Sequence, residues 1–140
     1  MKIENEFIPF EQALALKEMG FDEKCFGLFT LTDGKHLVDV VGICTYSKEF
    51  EYRQVLAPLY QQAFRWFKEK YGLMSCTIPC SDGEYIFTLY DLNKCDLEVF
   101  VEDIEIMESE DSYEFFEEAE LECLKKLIDI VKLSHKTATI

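Results

Sequence analysis

Twice along the chain a helical pattern is stopped by glycine, a run of strand formers follows, and an Asp-Gly pair turns the chain into a second such run. The two strings are KEMGF…CFGLFTLTDGKHLVDV and KEKYGL…CTIPCSDGEYIFTLY. An Asp-Gly pair between apolar runs signals a tight hairpin, because both residues tolerate the positive φ that a turn matching the twist of the strands requires. Two hairpins, each led by a helix, restrict the chain to α+β architectures in which helices pack on antiparallel sheet. The repeat is one of element order alone. Gly20 to Asp33 spans 13 residues and Gly72 to Asp82 spans 10, so convergence accounts for it as well as duplication does.

The remaining punctuation fills in the order. Pro9 is expected to open a first helix over residues 9–19, with Gly20 as its stop, since proline in the first turn gives up only a donor that has no partner there. Strands are expected over 25–32 and 35–46, then a polar stretch near 47–53. Pro58 should open a second helix ending at Tyr71 and Gly72. The second hairpin is expected over 74–80 and 84–90. In the next strand Cys95, Leu97, Val99 and Val101 share one parity, with Asp96, Glu98 and Glu102 on the other, as for a strand with one buried face. Phe100 breaks the polar parity. At Glu102-Asp103 the phase flips so that Ile104 and Ile106 become the apolar set, which a bulge or turn would reconcile with one core. A last helix over 115–133 carries Phe116, Ala119, Cys123, Leu127 and Ile130 on one stripe, widened by Leu121, Leu124, Ile128 and Val131. Its glutamates Glu114, Glu117, Glu118 and Glu120 sit at the start and Lys125, Lys126 and Lys132 toward the end, as the helix dipole favours.

The expected fold is therefore α+β, an antiparallel β-sheet with about three packed helices in the order αββ-αββ-β-α. At 140 residues a single domain, residues 1–140, is the expectation. Apolar residues make up 49% and aromatics 14%, which is core material that disordered acidic chains lack.

Charge is distributed very unevenly. From Asp91 to Glu122 fourteen acids stand against the single Lys94, a formal charge of −13. The other 108 residues carry fourteen acids and thirteen bases. A field of one sign repels nucleic acid and anionic membranes and attracts basic partners. No basic, apolar leader and no run of about 18 apolar residues is present, so the expected location is the cytoplasm. Cys25, Cys44, Cys76, Cys80, Cys95 and Cys123 are scattered over strands and a helix and read as reduced, mostly buried small apolar side chains.

Catalytic signatures are weak. His36 beside a turn and His135 in a polar tail have no motif around them. Cys76 and Cys80 have C-x3-C spacing on a strand, without the second ligand pair of a zinc site or the helix-start C-x-x-C of redox proteins. Carboxylate pairs are too abundant to single out one for acid–base work, and no D-x-D-x-D-G calcium loop is present. Phosphate loops, G-x-S-x-G and H-E-x-x-H are missing as well. The expectation is no catalytic residue, no metal and no cofactor. In the second helix Tyr60, Ala63, Phe64, Phe67 and Tyr71 form the core stripe, and Trp66 stands at its margin beside Arg65, a pairing enriched at protein interfaces.

The strings FIPFEQALALKEMGFDEKCFG, APLYQQAFRWFKEKYGL and FFEEAELECLKKLIDIVK resemble three blocks of a group of small uncharacterised proteins of gut Bacteroidetes, their mobile elements and their phages. In that group the second helix is similar to (Y/T)xQAFRWFREKYxL and the last to YEEAELACLxKLIEIV. Here Phe115-Phe116 replaces the usual tyrosine context, and the acidic segment 95–111 is longer and more acidic. No biochemical role comes with the resemblance, which implies an accessory protein of a phage or mobile element.

The functional expectation is a non-enzymatic binding protein that meets a basic or DNA-binding protein through Asp96, Glu98, Glu102, Asp103 and Glu105, with Arg65 and Trp66 as a second interface element. Direct binding of nucleic acid or membrane is not expected. Carboxylates two residues apart on a strand stand about 6.6 Å apart, close to the phosphate spacing along one DNA strand, so mimicry of DNA is a sharper form. Two alternatives remain: a homodimer or structural component formed through Trp66 and the last helix, and an enzyme of unrecognised type.

Overall fold

In the computed structural model, residues 2–46, 54–94 and 101–138 are described. The chain is α+β and divides into two compact units, Met1–Ala63 and Phe64–Ile140, each built around a three-stranded antiparallel sheet.

The first unit contains a 3-10 turn, Ile3–Glu6, then α1 (Phe10–Glu18), β1 (Cys25–Thr32), β2 (Lys35–Cys44) and β3 (Leu56–Ala57). Pro9 stands just ahead of α1 rather than in its first turn. Its ψ of 157° is extended, and its carbonyl accepts the first helical hydrogen bond, from Ala13. Gly20, at φ 98°, closes the helix: its N–H donates to the Lys17 carbonyl at 3.0 Å, and the Phe21 N–H donates to that of Leu16 at 2.9 Å. Leu16 and Phe21 are both buried, which supplies the apolar contact that accompanies this stop. Asp33 and Gly34 take φ of 51° and 76°, the two left-handed positions of a tight hairpin turn, and Thr32 pairs with Lys35 across it.

β3 pairs with the opposite edge of β1, giving the order β2-β1-β3. Two residues carry no alternation, so the sequence pattern does not reveal it. Pro58 does not open a helix. It follows β3, its carbonyl accepts from the Ile8 N–H at 3.0 Å, and α2 begins two residues later, as Tyr60–Tyr71. Beneath the hairpin, Phe10 lies edge-on to Phe29 at 5.5 Å and stacked on His36 at 3.6 Å, so that histidine is exposed yet held against a ring.

The boundary between units falls within α2. The second unit continues with β4 (Leu73–Pro79), β5 (Tyr85–Asp91), α3 (Val101–Ile104), β6 (Glu105–Glu108) and α4 (Phe116–Ala138), in the sheet order β4-β5-β6. β4 and β5 pair from Leu73↔Asp91 to Pro79↔Tyr85. At their turn the Asp82 carboxylate accepts from the Glu84 N–H at 3.0 Å. At the other end the Asn93 side chain donates to the Tyr71 carbonyl at 3.0 Å, and the Leu92 N–H donates to that of Gly72 at 2.7 Å. Those bonds fasten the end of the hairpin to the end of α2.

α4 packs on β4 and β5 and buries Ala119, Cys123, Leu124, Leu127, Ile128 and Val131. The stripe read from sequence is shifted at its edges. Phe116 is exposed, edge-on to Tyr85 at 5.6 Å, while Leu121 and Ile130 are half-buried. Of the four leading glutamates Glu114, Glu117 and Glu118 are exposed, but Glu120 is buried.

The acidic strand departs most from expectation. Residues 95–100, with Asp96 and Glu98, lie outside the described residues. At Glu102-Asp103, where the phase flips and a bulge or turn was expected, the backbone makes a turn, the single helical turn of α3. The bulge comes later. β5 and β6 pair as Leu89↔Met107 and Tyr90↔Glu105, so Ile106 is the extra residue, and it is 40% exposed. Met107, opposite the buried Leu89, is half-buried. Cys25, Cys44, Cys76, Cys80 and Cys123 are free thiols, of which Cys25 and Cys123 are buried and the other three half-buried.

Candidate functional site

Among the described residues β6 is an edge strand, and its backbone course continues beyond Glu108 along β5. The Ser109 N–H donates to the Phe87 carbonyl at 2.8 Å, the Ser109 hydroxyl accepts from the Phe87 N–H at 3.2 Å, and Tyr85 and Tyr113 exchange two hydrogen bonds of 2.8 Å. Residues 105–113 are thereby laid along the rim of the sheet. Glu105, Glu108, Glu110 and Asp111 are exposed on that rim, followed by Glu114, Glu117 and Glu118 leading into α4. The Ser112 hydroxyl donates to the Glu84 carboxylate and ties one more acid to the same segment.

Neighbouring groups register the field. Burial pushes the Tyr113 hydroxyl up, and Glu122, Asp111 and Glu110 add to it. Desolvation pushes the Cys80 thiol up, with contributions from Asp82, Glu84 and Glu108. Carboxylates from the second hairpin turn and from β6 thus act together on Cys80, and those from the loop before α4 and from α4 itself act on Tyr113. Lys125 pairs with Glu122 at 3.0 Å, an exposed i,i+3 contact that offsets little of the charge.

Of the residues expected at the site, Asp96 and Glu98 lie outside the described residues. Asp103 and Glu105 are exposed, on α3 and β6. Glu102 has helical backbone, so a ladder of evenly spaced strand carboxylates does not run through it. Arg65 is exposed on α2, but Trp66 beside it is only 5% exposed and is no surface anchor. Its ring lies edge-on to Phe67 at 5.2 Å and to Tyr71 at 5.5 Å, with the Lys70 ammonium 4.9 Å above it. Three-residue spacing from the fully buried Ala63 places Trp66 inside the core arc rather than at its margin. Glu108, Glu110 and Asp111 were missed in sequence. Their signal is the simple continuation of the acidic run past Ile106, where no regular strand phase marks it.

Clefts open among the described residues of this unit. One, of about 170 Å³, lies between Met107, Tyr113, Glu122 and Lys126. Another, of about 410 Å³, has mainly apolar walls from Leu73, Ile106 and Val131, with Tyr71 and His135 at its side. The Cys25 and Cys123 thiols are pushed up to about 12 by burial and stay protonated at neutral pH, which removes their nucleophilic form. Among the described residues no group of three or more His, Cys, Asp or Glu is arranged to hold a metal ion, and no helix is long and apolar enough to cross a membrane. Comparison with family models, curated proteins and solved structures gives no match.

Proposed function

We propose that this chain is a non-enzymatic binding protein whose acidic rim, from Asp103 to Glu118, takes up a basic protein. The observation that carries this reading is the exposure of Glu105, Glu108, Glu110 and Asp111 along one sheet edge, continued by Glu114, Glu117 and Glu118. Carboxylates held by a paired backbone need little ordering when a partner arrives, and a rim of one sign speeds the encounter with a basic surface. In its sharper form the partner is a DNA-binding protein, and the rim occupies the site that phosphates would take. The resemblance to proteins of phages and mobile elements fits that task, which belongs to the cytoplasm and needs no cofactor.

Salt separates this reading from apolar association. Binding through the rim weakens steeply between low and high ionic strength, as screening shortens the reach of exposed charges to about 10 Å at 0.1 M salt. A pull-down of basic proteins from cell lysate at both salts, followed by displacement of the captured protein from DNA, tests the general and the sharper forms. Capture that persists unchanged at high salt contradicts both.

A further inference from the structure

The first unit leaves a different kind of surface in water. Leu37, Val40, Val41 and Ile43 of β2 are 50%, 50%, 57% and 72% exposed. β2 ends the order β2-β1-β3, and among the described residues no strand pairs with its outer edge. A ten-residue edge with exposed apolar side chains is a template for another strand.

The phase of its outward hydrogen-bonding groups follows from β1. The Phe29 N–H donates to the Val55 carbonyl at 2.9 Å, on the side away from β2. Phe29 and its register partner Val38 are therefore a non-hydrogen-bonded pair, while the neighbouring pair Thr30↔Leu37 is hydrogen-bonded. By alternation His36, Val38 and Val40 direct their N–H and C=O groups to the open edge. Lys35, Leu37 and Asp39 share one face, where the Thr30 hydroxyl donates to the Asp39 carboxylate at 3.1 Å.

We propose that the occupant of this edge is a second copy of the chain, its β2 antiparallel to the first about a two-fold axis at Leu37. In that register His36 of each copy forms a hydrogen-bonded pair with Val38 of the other, Leu37 meets Leu37, and Lys35 stands opposite Asp39 at both ends. Opposite charges directly across a strand pair are stabilising and like charges are not. An axis at Asp39 sets two carboxylates face to face. An axis at Val40 runs the pairing through Val41–Ile43, where Gly42 at φ 89° and the irregularity opposite Phe26 break the extended backbone. An axis at Val38 leaves Asp39 facing Leu37. Because the contact is self-complementary it closes on itself and makes a dimer, not a fibre.

Light scattering across a concentration series from about 1 μM to about 1 mM, the range suited to a small interface, tests the register. The expected result is a mass that doubles for the natural chain. Leu37→Lys and Lys35→Asp each weaken the dimer at least about tenfold, a loss of about 1.4 kcal/mol, while Lys35→Asp combined with Asp39→Lys restores it. Circular dichroism of each variant verifies that it folds. Amide exchange at His36 and Val38 slows as the natural chain is concentrated, a readout that needs no variant. A mass that stays monomeric, a dimer indifferent to Leu37→Lys, a folded double swap that does not recover, or a monomer that instead captures an unrelated extended peptide along β2 overturns the proposal.

Discussion

Gly27 has no room for a side chain: a Cβ there would lie 2.7 Å from Phe7 Cε1 and 2.9 Å from Val38 Cγ2. Gly27→Ala should cost about 1–3 kcal/mol by overpacking, read as a lower urea midpoint with an unchanged slope. Two thiols give a second prediction. Cys25 and Cys123 are pushed from 9.0 up to about 12 by burial, Cys25 also by Cys44 and Glu23. The unfolded chain releases those protons near 9.0 while the folded chain holds them. Stability from the neutral thiols is thus fully present below about pH 9 and is lost as the pH rises toward 12. Melting temperatures should be flat from neutral pH to about 9 and fall beyond it, and Cys25→Ala with Cys123→Ala should reduce the fall. An equal fall in that double variant would place the cause elsewhere.

Among the elements, the first hairpin offers the sharpest test, because Asp33 holds φ 51° without being glycine. Asp33→Asn should be nearly neutral, whereas Asp33→Val should cost about 1–2 kcal/mol, since a β-branched residue resists the left-handed region. Thermal unfolding of the two variants separates them. That turn, both hairpin strands and the Gly20 stop were legible in sequence because each rests on local backbone chemistry. β3 was not, since two residues have no period, and its pairing with β1 depends on chain brought in from far along the sequence. α3 was hidden for a similar reason: one helical turn leaves no repeat, so its residues extended the strand pattern before them. That Ile106 is the extra residue of a bulge is not legible either, because alternation alone cannot tell which residue a bulge leaves unpaired. The carboxylates of the site were readable as a charge run, but their arrangement along the rim needed the pairing of 105–113 with β5. Trp66 reads as marginal because the stripe Tyr60, Ala63, Phe64, Phe67 and Tyr71 leans toward Phe64, which is half-buried, whereas the buried arc of Tyr60, Ala63, Trp66 and Phe67 leans the other way.

For the whole molecule the governing asymmetry is one of surface type. The second unit carries the acidic rim and the first the apolar edge of β2. These two surfaces should respond to different variables, the rim to ionic strength and the edge to protein concentration. If the proposed rim binds a partner, it does so by its arrangement and not through the net charge of −14. The most direct measurement compares the affinity of a captured basic partner for three chains. They are the natural protein, a variant with Glu105, Glu108, Glu110 and Asp111 changed to Gln or Asn, and a control with the exposed Glu4, Glu11, Glu18 and Asp22 of the first unit changed likewise. The rim variant should lose at least about tenfold in affinity at low salt while the control changes less than about twofold. Equal losses from both variants would show that net charge alone attracts the partner, and would contradict a binding role for the rim.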